Sequence, residues 1–225
     1  MFRSLLTWPK DISHLKQLSK EVKLNDPETK SCISDVVDTF NILQGYGLAA
    51  PQIGIFKRIM VINPAALGFE NTVDRLVMIN PTLELGGGTF QSHESCFSVP
   101  DISAVVNRHE ECTVTFTTLE GEEKTVRTSG LPAACIQHEV DHLDGVLFVD
   151  RLSKLKRGII IRKIKKMQQK RQRVEREAAL DFERDHDELM GLSSDGTKKK
   201  TTHSHKRKPK RRMSRKSKSN RKRKN

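Results

Sequence analysis

A chain of 225 residues has room for one ordinary domain and a sizeable core, but not for two large ones. At 35% hydrophobic and 31% charged it is too polar for a single packed globule, which implies a normal domain carrying a polar appendage. The charge divides in the same way. Residues 151–225 hold 29 Lys and Arg against 8 Asp and Glu, and residues 1–150 hold 12 against 20, so the net +13 belongs wholly to the C-terminal third.

In chain order, the apolar side chains of Ile33, Val36, Val37, Phe40 and Leu43 form one stripe and predict a helix over 31–44, stopped by Gly45 in a left-handed cap. Gly47 to Gly54 reads as a loop of small residues that lets backbones approach closely. Arg58-Ile-Met-Val-Ile-Asn63 and Leu76-Val-Met-Ile-Asn80 read as short strands, each ended by Asn-Pro. The Gly86–Gly88 run reads as a break before Cys96. The strictly alternating Cys112–Thr118, a turn at Gly121 and Lys124–Thr128 predict a β-hairpin. Ser129 and Pro132 fit the start of a helix running to about Leu143, and Gly145 fits its stop. Ser153 caps a last helix with Ile160, Ile164 and Met167 on one side. From Gly191 onward nothing remains to bury, so a disordered tail is expected.

These elements divide the chain into a core over 1–152, a basic helix over 153–190 and a Lys/Arg-rich tail over 191–225. Helix, strands and then helix predict an α+β fold, not a doubly wound parallel sheet. Cys32, Cys96, Cys112 and Cys135 are too scattered for a disulfide framework and fit a reducing compartment. No run approaches the roughly 18 apolar residues of a membrane span, so no membrane partner is expected. The start of the chain has no signal-peptide core.

The sharpest feature is His138-Glu-Val-Asp-His142. On a helix, positions i and i+4 share a face. Two imidazoles there can hold one metal ion, with Glu139 beside the water that ion activates. The competing reading is a solvated helix that merely contains two His and two acids. Leu131, Ala134, Cys135 and Ile136 argue against it by placing the helix in a core. Many zinc peptidases share the motif, so the third ligand decides. Phe148 stands where one extended pattern requires His, and the later acids Glu175 and Glu177 lie in a highly charged stretch. The third ligand is therefore sought upstream.

Upstream stand Gly45-Tyr-Gly-Leu-Ala-Ala-Pro-Gln52 and Glu94-Ser-Cys-Phe-Ser98. With Gln137-His-Glu-Val-Asp-His142, in this order and spacing, they resemble the three signature motifs of peptide deformylases. The resemblance covers roughly residues 8–165. It implies small antiparallel sheets around a central metal-binding helix, and a metal site of Cys96, His138 and His142. The implied cofactor is one divalent ion, Fe(II) in the cell, with Zn, Ni or Co suited to the same ligands. The implied reaction removes the formyl group from N-formylmethionyl nascent peptides and releases formate. Glu139 would act as general acid/base, and the Gln52 amide and Phe97 N–H as oxyanion donors. Tyr46, Gly47, Glu94, Leu131, Ala134 and Cys135 match positions around the substrate. Arg108 and Asp141 match supporting positions and are expected to form an ion pair.

Two departures stand out. The usual second motif is Glu-Gly-Cys-Leu-Ser, so Ser95 replaces a glycine and Phe97 a leucine. Ser95 loses easy access to positive φ but is expected to be tolerated; Phe97 keeps its N–H and adds bulk. The family's C-terminal helix helps some members dock on the ribosome. The run Lys206-Arg-Lys-Pro-Lys-Arg-Arg212 extends that basic surface, so ribosomal RNA is an expected partner. A monomer is expected, in the cytoplasm of a bacterium or a virus-infected bacterial cell, with an organelle left open. The rival readings are a zinc peptidase of the same His-Glu-x-x-His type, and a nucleic-acid-binding protein whose His helix is structural.

Overall fold

In a computed structural model the described residues are 1–67 and 75–189. The tail expected over 191–225 lies outside them. The described residues divide into two units between Lys170 and Arg171.

The first unit is built on one five-stranded sheet, β1 (Gly47–Ala49), β2 (Ile59–Ile62), β3 (Leu76–Cys96), β4 (Val99–Thr117) and β5 (Glu123–Ser129). Spatial order follows chain order, and every neighbouring pair is antiparallel. The α+β expectation agrees with this arrangement, but the several small sheets are one continuous sheet. Helices α1 (Ile12–Leu15), α2 (Pro27–Leu43) and α3 (Gly130–Leu143) belong to this unit, and α4 spans Lys154–Leu189.

β2 reads as an unbroken apolar run because both its faces are covered. Ile59 and Val61 pack with Val36 and Phe40 of α2, while Met60 and Ile62 pack with Ile136 and Leu143 of α3. β2 therefore lies between two helices, with α2 on one side and α3 on the other. A third apolar cluster joins Leu15, Val99, Ile102, Val106, Phe148 and Ile164, so the start of α4 packs beside the β3–β4 hairpin.

Several expected boundaries are corrected. α2 begins at Pro27, four residues before the expected start. Asp26 caps it by accepting from the Glu28 N–H, with Pro27 in the first turn. Its left-handed cap is Gln44, at φ 52°, not Gly45. Gly45 is needed for another reason: a Cβ there would lie 2.6 Å from the Phe97 ring. The expected loop after it is β1 followed by a 3₁₀ turn, Ala50–Ile53.

Neither Asn80-Pro81 nor the glycine run ends a strand. Both are bulges inside β3, at register shifts between Ile79 and Thr82 and between Gly86 and Thr89. Asn80 and Gly87 take the positive φ these bulges require. The Asn80 side chain also pairs with both backbone groups of Val22, at 2.9 and 2.8 Å. β4 starts at Val99, well before the expected Cys112, and the β4–β5 hairpin lies where the alternation placed it.

Candidate active site

The longest hairpin of the molecule carries the cysteine. β3 and β4 run antiparallel up to the Cys96–Val99 pair, with Phe97 and Ser98 as the turn. The register shifts between Ser95 and Cys96, which leaves Pro100 to Ile102 as extra residues on β4. That bulge aims the Cys96 side chain at α3. Glu94 and Cys96 share one face of β3, as the two-residue repeat of a strand requires. Ser95 borders the cavity, is exposed, pairs with Ser103 and is not at positive φ. The glycine-to-serine departure therefore carries no positive-φ strain.

α3 supplies the two imidazoles. His138 and His142 lie one turn apart with ring centroids 4.9 Å apart and nearly perpendicular. Cys96 Sγ is 3.2 Å from His142 Nε2. One donor atom from each of Cys96, His138 and His142 falls within 4.8 Å of the other two. The site fits a single cation on chemical grounds. One thiolate and two imidazoles are a recurring soft donor set, and three protein ligands leave a fourth position open. Glu139 adds a second sign. Its carboxylate is buried, and Oε2 has no hydrogen-bond partner in the protein, a costly arrangement unless water or an ion meets it. Burial pushes the Glu139 carboxyl up to about 7.

Gly47 is small because Glu139 fills its place. A Cβ at Gly47 would lie 2.5 Å from Glu139 Oε1. Gln52 is 1% exposed and held at both ends of its amide. Oε1 accepts from the Ala49 N–H at 2.8 Å, and Nε2 lies 3.4 Å from both Cys96 Sγ and Ser98 Oγ. The Ser98 N–H also points at Cys96 Sγ, 3.4 Å away.

Behind the imidazoles lies a buried ionic network. Glu94 accepts from Arg108 at 2.6 and 2.9 Å, and its Oε2 lies 2.8 Å from His138 Nδ1. This bond fixes the ring so that the other nitrogen faces Cys96. Burial alone would raise the Glu94 carboxyl, but Arg108 and His138 outweigh it and hold it at about 2. Arg108 is 2% exposed, and its Nη1 reaches Asp141 Oδ2 at 2.6 Å, the expected ion pair. Burial opposes charge on both imidazoles. The Cys96 and Glu94 contacts reverse this for His138 and raise it, while His142 is lowered further by its charged neighbour.

A cavity of about 580 Å³ opens over these groups, lined among others by Tyr46, Phe97, Ile102, Leu131, Ala134 and Cys135. The residues expected around the substrate thus meet in one place, with Tyr46 and Leu131 half exposed at its rim. Glu94 also borders the cavity, but its carboxylate is engaged by Arg108 and His138.

Three participants were not singled out from the sequence. Ser98 stood inside a quoted motif but had no signal beyond adjacency. Phe148 stacks on His138 at 6.2 Å and 25°, whereas its side chain in the sequence signals only that it cannot be a ligand. Arg151 holds both oxygens of Asp141 from a 3₁₀ turn, Phe148–Arg151. The alliance of Glu94 with His138 did have a signal, since an acid two residues before Cys96 must share its face.

Comparison with known proteins gives one answer. The family model described as polypeptide deformylase matches residues 2–158. The peptide deformylase of Pelagibacter ubique is 39% identical over 170 residues, covering 75% of this chain and 96% of its own length. The crystal structure of a peptide deformylase from Legionella pneumophila aligns with TM-score 0.66 and 36% identity, over 77% of this chain and 99% of that one. A Met-Ala-Ser-bound peptide deformylase of Acinetobacter baumannii aligns with TM-score 0.60 and 33% identity, over 68% and 99%. With the Cys96, His138 and His142 donors and a buried Glu139 assembled within the matched residues, the chain belongs to the polypeptide deformylase family.

Proposed function

We propose that this protein hydrolyses the N-terminal formyl group of formylmethionyl peptides, releasing formate and a free amine. The observation that carries the proposal is the convergence of Cys96, His138 and His142 beside a buried, unpartnered Glu139 oxygen. Cys96, His138 and His142 would hold a divalent cation, which would supply the activation of a water for attack at neutral pH.

The chain's own groups do the rest. Glu139 takes the proton of the attacking water and returns it to the departing amine nitrogen. The Gln52 Nε2–H and the Phe97 N–H donate to the oxygen that becomes negative as the formyl carbon turns tetrahedral. Gln52 is preorganised for this, because its Oε1 is already engaged by Ala49. Glu94 and Arg108 keep the His138 ring aligned, with Asp141 on the far side of the guanidinium. β1 is the first strand of the sheet, so its outer edge can take an extended peptide as an added strand. The methionine side chain then enters the cavity between Tyr46, Leu131, Ala134 and Cys135.

The donor set suits Fe(II) as the working ion and also accepts Zn, Ni or Co. The basic residues from Lys154 onward, continued by the tail over 191–225, suit ribosomal RNA. The protein would act as a monomer in the cytoplasm of a bacterial or virus-infected bacterial cell. Deleting 191–225 should leave turnover of a short peptide intact and weaken ribosome binding at moderate salt; unchanged ribosome affinity would end the docking idea. The reaction is tested by formate release from formyl-Met-Ala-Ser. Wild type should release one formate per peptide, and no release by the metal-loaded protein would sink the assignment.

A further inference from the structure

We infer that Arg151 is a positioning residue for the metal centre, acting on His138 through Asp141, Arg108 and Glu94. The inference rests on the reading of Cys96, His138 and His142 as a metal site.

The network behind His138 contains two carboxylates, Glu94 and Asp141, and one buried cation, Arg108. Arg108 uses Nε and Nη2 on Glu94 and Nη1 on Asp141. With Arg108 alone, one negative charge would be left over among side chains that are 7% and 8% exposed. Arg151 supplies the second cation. Its Nε and Nη2 take the two Asp141 oxygens side by side, from a side chain that is 43% exposed. Arg151 thus closes the network on its solvent side.

Removing Arg151 leaves Asp141 with Arg108 as its remaining cation. The Arg108 guanidinium is then drawn toward Asp141 and away from Glu94, and Glu94 Oε2 is the atom 2.8 Å from His138 Nδ1. The effect ends as a loosened His138 ring and a less preorganised ligand set. An independent observation points the same way. Phe148, three residues before Arg151 in the same 3₁₀ turn, stacks on the His138 ring. One turn therefore supports both the face of this imidazole and, through two carboxylates, its Nδ1.

The test uses the full chain loaded with Co(II), with affinity measured by chelator competition and ligand geometry followed by the cobalt absorption bands. Arg151→Gln should weaken metal binding by about tenfold, the low end for groups outside the ligands themselves, and shift the cobalt bands. Arg151→Lys should recover most of the affinity. Asp141→Asn combined with Arg151→Gln should be no weaker than Asp141→Asn alone, because both act through one path. Arg58→Gln is the control, since Arg58 anchors the same helix end through Asp144 at 2.6 Å without touching the network. An Arg151→Gln protein with wild-type affinity and spectrum would overturn the inference, as would an equal loss in Arg58→Gln. A wild-type protein that binds no cation, or binds one that Cys96→Ser retains unchanged, would instead overturn the metal-site reading itself.

Discussion

Glu139 is the residue on which the chemistry turns, and its environment explains why. A buried carboxylate normally finds two or three donors, but Oε2 here finds none in the protein. Replacing it by Gln keeps the shape and removes the proton carrier. Glu139→Gln should lower kcat for formyl-Met-Ala-Ser by about 10²–10⁴ while metal content stays unchanged. Loss of metal together with rate would show that Glu139 serves the ligand geometry instead. Gly47→Ala tests the same carboxylate from outside, because the new methyl must displace an oxygen 2.5 Å away. Its kcat should fall at constant metal content. At this scale the sequence was most legible, since a ligand pair at i and i+4 is imposed by helix geometry alone. Arg151 was not legible, because no periodicity links a 3₁₀ turn to a helix face ten residues earlier.

α3 and the β3–β4 hairpin must meet in one geometry, and Arg108 is the tie between them. It lies on β4, holds Glu94 of β3 and Asp141 of α3, and is almost fully buried. Arg108→Leu leaves two buried carboxylates short of a cation, so it should cost about 3–5 kcal/mol in urea unfolding. A loss below about 1 kcal/mol, typical of a surface pair, would show that the network is solvated. The α2 cap is a milder case. Asp26→Ala should cost about 1 kcal/mol and leave turnover unchanged. The sequence showed α2, α3, α4 and the β4–β5 hairpin, because their apolar periods are uninterrupted, but it gave no sign of the four-residue α1. It concealed the length of β3, since Asn80-Pro81 and Gly86–Gly88 carry the residue types of turns but serve as bulges once tertiary pairing continues across them. It likewise concealed the hairpin turn at Phe97–Ser98, which carries no glycine.

For the molecule as a whole, α3 covers one face of the sheet, and Cys112 lies fully buried in that layer. Burial pushes the Cys112 thiol up to about 11. The unfolded chain releases that proton near its ordinary value of 9.0, while the folded chain keeps it. Stability is therefore undiminished below about pH 9 and falls as pH rises toward about 11. Cys112→Val should make this alkaline fall shallower in thermal melts. It should not abolish the fall, because burial also pushes Cys135 well above its usual range. An identical alkaline limb in the variant would count against this cause. The charge asymmetry was plain from composition, whereas the packing of Ile160, Ile164 and Met167 against the hairpin cluster needed the structure.

The proposed chemistry depends on a thiolate and two imidazoles sharing one cation. X-ray absorption at the metal edge of the zinc-loaded protein measures that most directly. It should find one sulfur at about 2.3 Å and imidazole nitrogens at about 2.0–2.1 Å, with the sulfur shell gone in Cys96→Ser. A zinc ion with no sulfur neighbour in the wild-type protein would contradict the account.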